Sequence, residues 1–197
     1  MISMALGIYC AGLILAFGYR TFTHFGHTGR TGWVRIPRGD IASWVGATLF
    51  ALALAIGLVA LVLAAQGAVA TVDVALLVGV AGLTLEAVAL IGVIFAQESM
   101  GDSWRIGGNP LEKTPLVTKG LFGRVRNPIF SAMLASQVGI ALVAPSVVSA
   151  AACLTMLVAI QISVRRSEEP YLRATHSAYR NYSATVGRFV PRVGLIR

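Results

Sequence analysis

Long apolar stretches, separated by short polar segments, constrain this chain more than any other feature of its sequence. Residues 2–19, 41–65 and 74–96 carry almost no charge, and each is about as long as the roughly 20 residues that a helix needs to span a bilayer. Residues 128–164 form another apolar stretch, too long for one span, and Pro145 divides it because proline interrupts a helix. The sequence therefore predicts an all-α integral membrane protein with five transmembrane helices, the last two forming a helical hairpin.

The composition agrees with this membrane class. Hydrophobic residues make up 56% of the 197 residues, and charged residues make up 12%, well below the roughly 25% of soluble domains. No basic segment precedes the first apolar run, so we expect it to be the first span rather than a removable signal peptide. We expect a single membrane domain over residues 1–197, with three transmembrane helices in residues 1–96 and a loop, the hairpin and a tail in residues 97–197.

The basic residues indicate how the helices are oriented. With five spans, successive loops alternate between the two sides of the membrane, and all 16 Lys and Arg residues fall on one side. Four lie within residues 20–40, five within residues 97–127 and seven in the tail after residue 164. Because basic loops stay cytoplasmic, we expect a plasma (cytoplasmic) membrane protein with its N-terminus outside and its C-terminus in the cytoplasm. The net charge of +8 then reflects topology and attraction to anionic membrane lipid, so nucleic acid is not an expected partner.

Glu86 is an acidic residue inside an apolar stretch, where a charge is costly and often functional. Gly82, one helical turn before it, allows close approach of a second helix. One interpretation is a small membrane transporter or scaffold organised around Glu86, and another is a protonated or paired acid that holds two helices together. The histidines His24, His27 and His176 are too scattered to form a metal set, so no metal site is predicted.

The tail has the pattern of an amphipathic helix. Ser167 suits a helix N-cap, and the two acids and Pro170 that follow suit the first turn. Apolar and aromatic residues then recur at helical spacing between residues 172 and 186. We predict a cytoplasmic C-terminal amphipathic helix that serves either as an anchor on the lipid surface or as a lid over a site formed by residues 97–127.

The segment Leu116–Phe130, LVTKGLFGRVRNPIF, joins the third loop to the fourth predicted helix. Gly120 permits close approach of the backbone to a ligand. Asn127 suits the N-cap of the helix and Pro128 its first turn, and a helix N-terminus can bind a carboxylate or a phosphate. Trp104, earlier in the loop, is typical of an interfacial anchor. Spacing alone favours a capped transmembrane helix over a ligand site.

Two sequence motifs, in order, resemble those of a known family. LVTKGLFGRVRNPIF resembles the pattern LVTxGxYxxxRHPxY of the isoprenylcysteine carboxyl methyltransferase family and its phospholipid-methyltransferase relatives. The tail, RRSEEPYLRATHSAYRNYSATVGRFVP, resembles their second signature, and the two motifs flank a helical hairpin. The resemblance implies a membrane-embedded methyltransferase that uses S-adenosyl-L-methionine. Its substrate would be hydrophobic or lipid-like, methylated at a carboxylate, a thiol or an amine.

The resemblance also implies roles for individual residues. With Gly120 included, the expected cofactor-binding set is Leu116, Val117, Gly120, Phe122, Arg126, Asn127 and Glu168. Glu168 would hold the ammonium group of the cofactor, Arg126 or backbone N–H groups its carboxylate, and Phe122 and the tail tyrosines would pack against the adenine. The substrate would be oriented by Arg165 or Arg166, which precede the acidic pair.

Two of these positions depart from the family pattern. Asn127 stands where the family usually has His, and an amide cannot titrate near neutral pH, so a general-base role does not carry over. Phe122 lacks the hydroxyl of the usual Tyr. These departures leave open a third interpretation, a protein that binds an amphiphile without catalysis. The methyl acceptor and the oligomeric state do not follow from the sequence.

Overall fold

The computed structural model describes residues 1–107 and 115–196. Within these residues the protein is helical, with isolated β-bridges and no strand. Two of the basic residues that contribute to the predicted orientation, Lys113 and Arg197, lie outside the described residues. The all-helical prediction is confirmed for the described part of the chain.

The first helical run is longer than predicted. It comprises α1 (Ile2–Leu13), a π-helical turn (Ile14–Tyr19) and α2 (Arg20–Thr28). The predicted end of the helix at residue 19 is wrong because Arg20 is buried and bonded within the protein. Its Nη1 donates to the Glu98 carboxylate at 3.1 Å, and its Nη2 donates to the carbonyls of Gln97 at 3.2 Å and Gly101 at 3.0 Å. The first charged residue therefore does not mark the end of this helix.

The next two helices are α3 (Ile41–Ala65) and α4 (Leu76–Met100), with 25 residues each. At 1.5 Å per residue, each measures about 38 Å, more than the roughly 30 Å of a bilayer core. Asp40 caps α3, since its Oδ1 accepts a hydrogen bond from the Ser43 backbone N–H at 3.0 Å.

The predicted hairpin consists of α5 (Pro128–Val143) and α6 (Val147–Ile162). Its turn lies at Pro145, as predicted, and Ser146 begins α6 with a capping box. With 16 residues, α5 measures about 24 Å and is shorter than a bilayer core. In the part of the chain that the structure describes, four helical runs are long and apolar enough to cross a membrane, namely Ile2–Thr28, Ile41–Ala65, Leu76–Ser103 and Val147–Thr175. The count of five spans and their orientation therefore remain predictions.

The start of the tail differs from the prediction. α6 continues through a π-helical segment (Ser163–Glu168) into α7 (Glu169–Thr175), so the predicted N-cap at Ser167 is wrong. The wider π-helical turn accommodates Pro170, which has no N–H to donate to the preceding turn. The predicted single amphipathic helix is also divided, because the chain leaves the helix at His176 and α8 (Tyr179–Thr185) follows.

Small residues bring the central helices close together. A Cβ atom added at Gly139 of α5 would lie 2.8 Å from the carbonyl oxygen of Gly82 in α4, so the two backbones approach closely here. Further along, larger side chains fill a buried core among the helices, with Val93, Met133, Met156 and Ile160 among its members. This packing fixes the helices that surround the cavity described next.

Candidate active site

A cavity of about 830 Å³ lies between the helices and the tail. Its volume is at the upper end of the roughly 300–1,000 Å³ found for small-molecule sites. One part of its wall is polar and includes Asp40, Arg105, Asn127, Arg166, Glu168 and His176. The other part is apolar and includes Leu13, Phe17, Phe50, Leu54, Phe130 and Met133. The cavity thus offers one environment suited to a charged ligand and another suited to an apolar one.

Most residues of the predicted cofactor set come together in the wall of this cavity. They are Leu116, Val117, Phe122, Arg126, Asn127 and Glu168. Gly120 is exposed and does not line the cavity, although its φ of 61° gives it the left-handed backbone that favours glycine. Of the two predicted substrate residues, Arg166 lines the cavity. Arg165 is not among the lining residues, and its Nε donates to the Gln161 side chain at 2.6 Å.

Glu168 lines the polar part of the cavity from the π-helical segment. The side chain is half-buried, and its carboxylate has no hydrogen-bond partner within residues 1–107 and 115–196. The charges that act on it are those of Arg105 and of the neighbouring Glu169. A carboxylate in this setting is available to a cationic group of a ligand.

Glu169 has the opposite surroundings, although it is the next residue. Arg126 Nη2 donates to Glu169 Oε1 at 2.8 Å. Arg188 donates from Nε to Oε1 at 2.7 Å and from Nη2 to Oε2 at 3.0 Å. Two guanidinium groups therefore neutralise Glu169. Both acids line the cavity, but Glu169 is paired, whereas Glu168 has no hydrogen-bond partner in the described residues.

Arg126 also fastens the tail to the start of α5. Its Nη1 donates to the carbonyl of Ser183 at 3.1 Å and to that of Val186, and its Nη2 donates to the carbonyl of Gly194 at 3.0 Å. In the described part of the chain, Nε is the nitrogen of this guanidinium that has no partner. Most of the hydrogen-bonding capacity of Arg126 therefore serves the protein itself.

Asn127 occupies the N-cap position of α5, as predicted, but its side chain does not cap the helix. Its Nδ2 instead donates to the carbonyl of Arg188 at 3.1 Å, parallel to the bond from its backbone N–H to the same oxygen at 3.1 Å. The amide at the usual histidine position thus connects the tail to the cavity wall.

Aromatic side chains of the tail lie beside Phe122. The Tyr182 hydroxyl donates to the Phe122 carbonyl at 2.6 Å, and the rings of Tyr179 and Tyr182 meet edge to face with centroids 6.0 Å apart. Burial raises the pKa of both Tyr179 and Tyr182 to about 12, so both hydroxyls are protonated at neutral pH. These contacts place the tail against the cavity, which favours the lid over the anchor.

Sequence reasoning missed a polar cluster that the first loop contributes to the wall. Asp40 Oδ2 accepts from the Ser43 hydroxyl at 2.5 Å and from the Ser167 hydroxyl at 3.4 Å, and the two hydroxyls contact each other. Burial by itself would raise the pKa of Asp40, but hydrogen bonds from Ser43 and Ser167 lower it below its ordinary value. The pattern Asp-x-x-Ser before an apolar run signals the cap of α3, but nothing local signals the contact with Ser167.

Trp104 is not an interfacial anchor, contrary to the prediction. It is only 2% exposed, with the Arg20 guanidinium 5.3 Å from its ring and the His24 ring edge-on at 5.3 Å. Beside it, the first and third loops pair through a hydrogen bond of 2.8 Å from the Val34 N–H to the Ile106 carbonyl. With the tail contacts above, this brings the three basic regions of the sequence to one end of the helices.

The comparison with known families covers just over half of the chain. The sequence model of the phospholipid methyltransferase family matches residues 77–179, a range that contains the segment Leu116–Phe130, the hairpin and the acidic pair. Neither the curated proteins nor the solved structures contain a significant match to this chain. The chain belongs to the phospholipid methyltransferase family, a family of membrane methyltransferases related to the isoprenylcysteine carboxyl methyltransferases.

Proposed function

We propose that this protein is an S-adenosyl-L-methionine-dependent methyltransferase that methylates a carboxylate, thiol or amine of a hydrophobic or lipid-like substrate. The observation that carries the proposal is the continuity of the cavity from a polar wall at Glu168 to an apolar wall between the helices. A polar methyl donor and an amphiphilic acceptor need two such environments side by side. The volume of about 830 Å³ allows both ligands to be present together.

The residues of the polar wall fit the cofactor. Glu168 has a carboxylate without a hydrogen-bond partner in the described residues, which suits the ammonium group of the methionine end. Phe122 and Tyr179 provide aromatic surface for the adenine, and Leu116 and Val117 provide apolar surface next to it. We assign Arg126 mainly to holding Glu169 and the tail in place, with its Nε as the group available to the cofactor carboxylate.

The chemistry needs alignment more than it needs an acid or a base. S-adenosyl-L-methionine supplies an electrophilic methyl group on a sulfonium centre. The chain's residues hold donor and acceptor in line and keep water away, and such alignment can lower a barrier by about 7–11 kcal/mol. Asn127 donates its amide to the tail and moves no proton. Arg166, in the cavity wall, would orient the acceptor, and its guanidinium suits a carboxylate head group.

Incubation of the purified protein with methyl-labelled cofactor and a membrane extract tests this function. We expect a labelled amphiphile, which mass spectrometry would identify. Isothermal titration in lipid nanodiscs should show cofactor binding, and its absence would count against the whole proposal. Binding without a labelled product would instead support the third interpretation, an amphiphile-binding protein without catalysis.

The alternative function, a transporter or scaffold organised around Glu86, has weaker support. Glu86 is 1% exposed and lines a pocket of only about 20 Å³, which has room for a water-sized molecule. Glu86 does not line the large cavity, in whose wall the polar residues of the family motifs lie.

A further inference from the structure

The large cavity follows one face of α3 into the interior of the protein. Its lining residues on this helix recur at helical spacing, namely Ser43, Ala47, Phe50, Ala51 and Leu54. Ser43 and Leu54 are eleven positions apart, which corresponds to about 17 Å along the helix axis. Ser43 contacts Asp40 and Ser167 at the polar end of the cavity. Leu54 lies at the apolar end, so this length separates the two ends.

Three side chains close the apolar end. Leu13, Leu54 and Met133 line the large cavity, and the same three residues also line the small pocket of about 20 Å³ next to Glu86. They come from three different helical segments, α1, α3 and α5. Because they face both spaces, these side chains form the partition between the large cavity and the small pocket.

Polar groups lie beyond this partition. Both carboxyl oxygens of Glu86 are buried without a hydrogen-bond partner in the described residues. Tyr9, in the wall of the same small pocket, donates its hydroxyl to the Leu54 carbonyl at 3.0 Å and accepts a hydrogen bond from Gln137 Nε2 at 2.8 Å. An apolar chain that extended past the partition would cover these polar groups without offering them a hydrogen bond, which is unfavourable.

We propose that Leu13, Leu54 and Met133 limit the length of the apolar chain that the methyl acceptor carries. The acceptor is a straight-chain amphiphile whose head lies near Arg166 and whose chain ends at this partition, with Glu86 and Tyr9 forming a polar stop behind it. The proposal rests on the proposed function for its acceptor, but it concerns a binding limit that can be measured without turnover.

The test uses saturated fatty acids from octanoate to stearate, together with the matching n-alkylamines. The two series cover an acidic and a basic head group for the acceptor. Their dissociation constants are measured by titration into the full chain in nanodiscs. Affinity should rise about fourfold for each added methylene up to a limiting length and no further. Met133→Ala should move this limit to longer chains, and Leu54→Phe should move it to shorter ones.

Met156 provides a matched control, because it is buried in the same core as Met133 and lines neither space. Met156→Ala should therefore leave the limiting length unchanged. The inference is overturned if neither series binds, if no limit exists, or if Met133→Ala and Met156→Ala shift it equally. The Leu54→Phe variant keeps the test decisive if Met133→Ala fails to fold.

Cofactor titration of the same preparations separates the two proposals. Cofactor binding without a chain-length limit would remove only this inference. A clear limit without cofactor binding would remove the proposed function and leave the partition in place.

Discussion

Arg126 and Glu169 form an ion pair of 2.8 Å that is almost completely buried. Arg126 stands two residues before α5, and Glu169 is the first residue of α7, so the pair connects the two family motifs across the hairpin. Arg188 adds a second guanidinium to the same carboxylate. Both acids line the cavity, and Glu168 is the one whose carboxylate has no hydrogen-bond partner in the described residues.

The Arg126→Met variant should lose much of the stability of the tail region. Removing one partner of a buried ion pair typically costs about 3–5 kcal/mol, and Arg126 also serves three tail carbonyls. We expect a lower midpoint of thermal unfolding and earlier proteolysis after residue 175. Arg124→Met is the control, because Arg124 is exposed and should change the stability by less than about 0.5 kcal/mol. Equal stability of the two variants would contradict the role given to Arg126.

Substitution of Glu168 by Gln should affect the cofactor and not the fold. The amide keeps the shape of the side chain but cannot make a charge-assisted bond to an ammonium group, a bond of about 1.5–3 kcal/mol. Titration should therefore show cofactor affinity reduced by about 10- to 100-fold, with an unchanged unfolding midpoint. Glu169→Gln is the matched variant and should lower the unfolding midpoint, because two arginines lose a charged partner. The reverse pattern would show that the two acids have been assigned the wrong roles.

The features predicted from the sequence are those that short stretches of chain determine. The apolar runs predict the helices from their length, and Pro145 predicts the turn of the hairpin because a proline in the interior of an α-helix interrupts it. The expectation that the three basic regions share one side came from alternating the loops across five predicted spans, together with the charge of each loop, and the count of five spans stays a prediction. The two family motifs predicted Phe122 and Glu168 as site residues, and both residues line the cavity. The signal was the order of the two motifs along the chain.

The features that were missed depend on partners far away in the sequence. Arg20 extends the first helix because Glu98 and two carbonyls of the third helical run receive its donors. Trp104 is buried because Arg20 and His24 cover it. Ser167 lies inside a helix and bonds to Asp40, and no pattern in the tail reveals that contact. In each case, a contact between segments that are far apart in the sequence determines the local structure, and the local sequence pattern does not reveal that contact.

Tyr182 predicts a pH dependence of stability at high pH. Its pKa is raised to about 12 in the folded protein, whereas tyrosine ordinarily titrates near pH 10. The folded state thus keeps the proton longer than the unfolded state, so the stabilising effect is complete below about pH 10 and is lost between about pH 10 and 12. Tyr182→Phe also loses the hydrogen bond to the Phe122 carbonyl and should be less stable by about 1 kcal/mol at pH 8.

The gap in unfolding free energy between wild type and Tyr182→Phe should therefore narrow as the pH rises from 10 to 12. Denaturant titration at fixed pH values measures it. Tyr19→Phe removes the hydroxyl of an exposed tyrosine and should leave the unfolding free energy at pH 8 unchanged. A gap that stays constant up to pH 12 would argue against a buried, protonated Tyr182.

Glu86→Gln distinguishes the proposed enzyme from a transporter. An amide is neutral, and burying it costs less than burying a carboxylate, so the variant should be at least as stable as the wild type. Cofactor affinity and methyl transfer should remain within about twofold, because Glu86 lies outside the large cavity. A tenfold loss of cofactor affinity, or transport in liposomes that disappears in this variant, would favour the alternative function.

The close contact between α4 and α5 predicts opposite effects for two glycine substitutions. In Gly139→Ala the new Cβ would lie 2.8 Å from the Gly82 carbonyl oxygen and 3.0 Å from the Glu86 backbone nitrogen, so the helices must separate. We expect a loss of about 1–3 kcal/mol in the free energy of unfolding, as for other overpacked sites.

In Gly92→Ala, on the same pair of helices, the nearest atom is the Ala132 Cβ at 3.6 Å, an ordinary contact. Alanine stabilises a helix relative to glycine by about 0.5–1 kcal/mol, so this variant should unfold at a higher temperature than wild type. If Gly139→Ala were stabilised as well, α4 and α5 could not be as close at Gly82 as the structure places them.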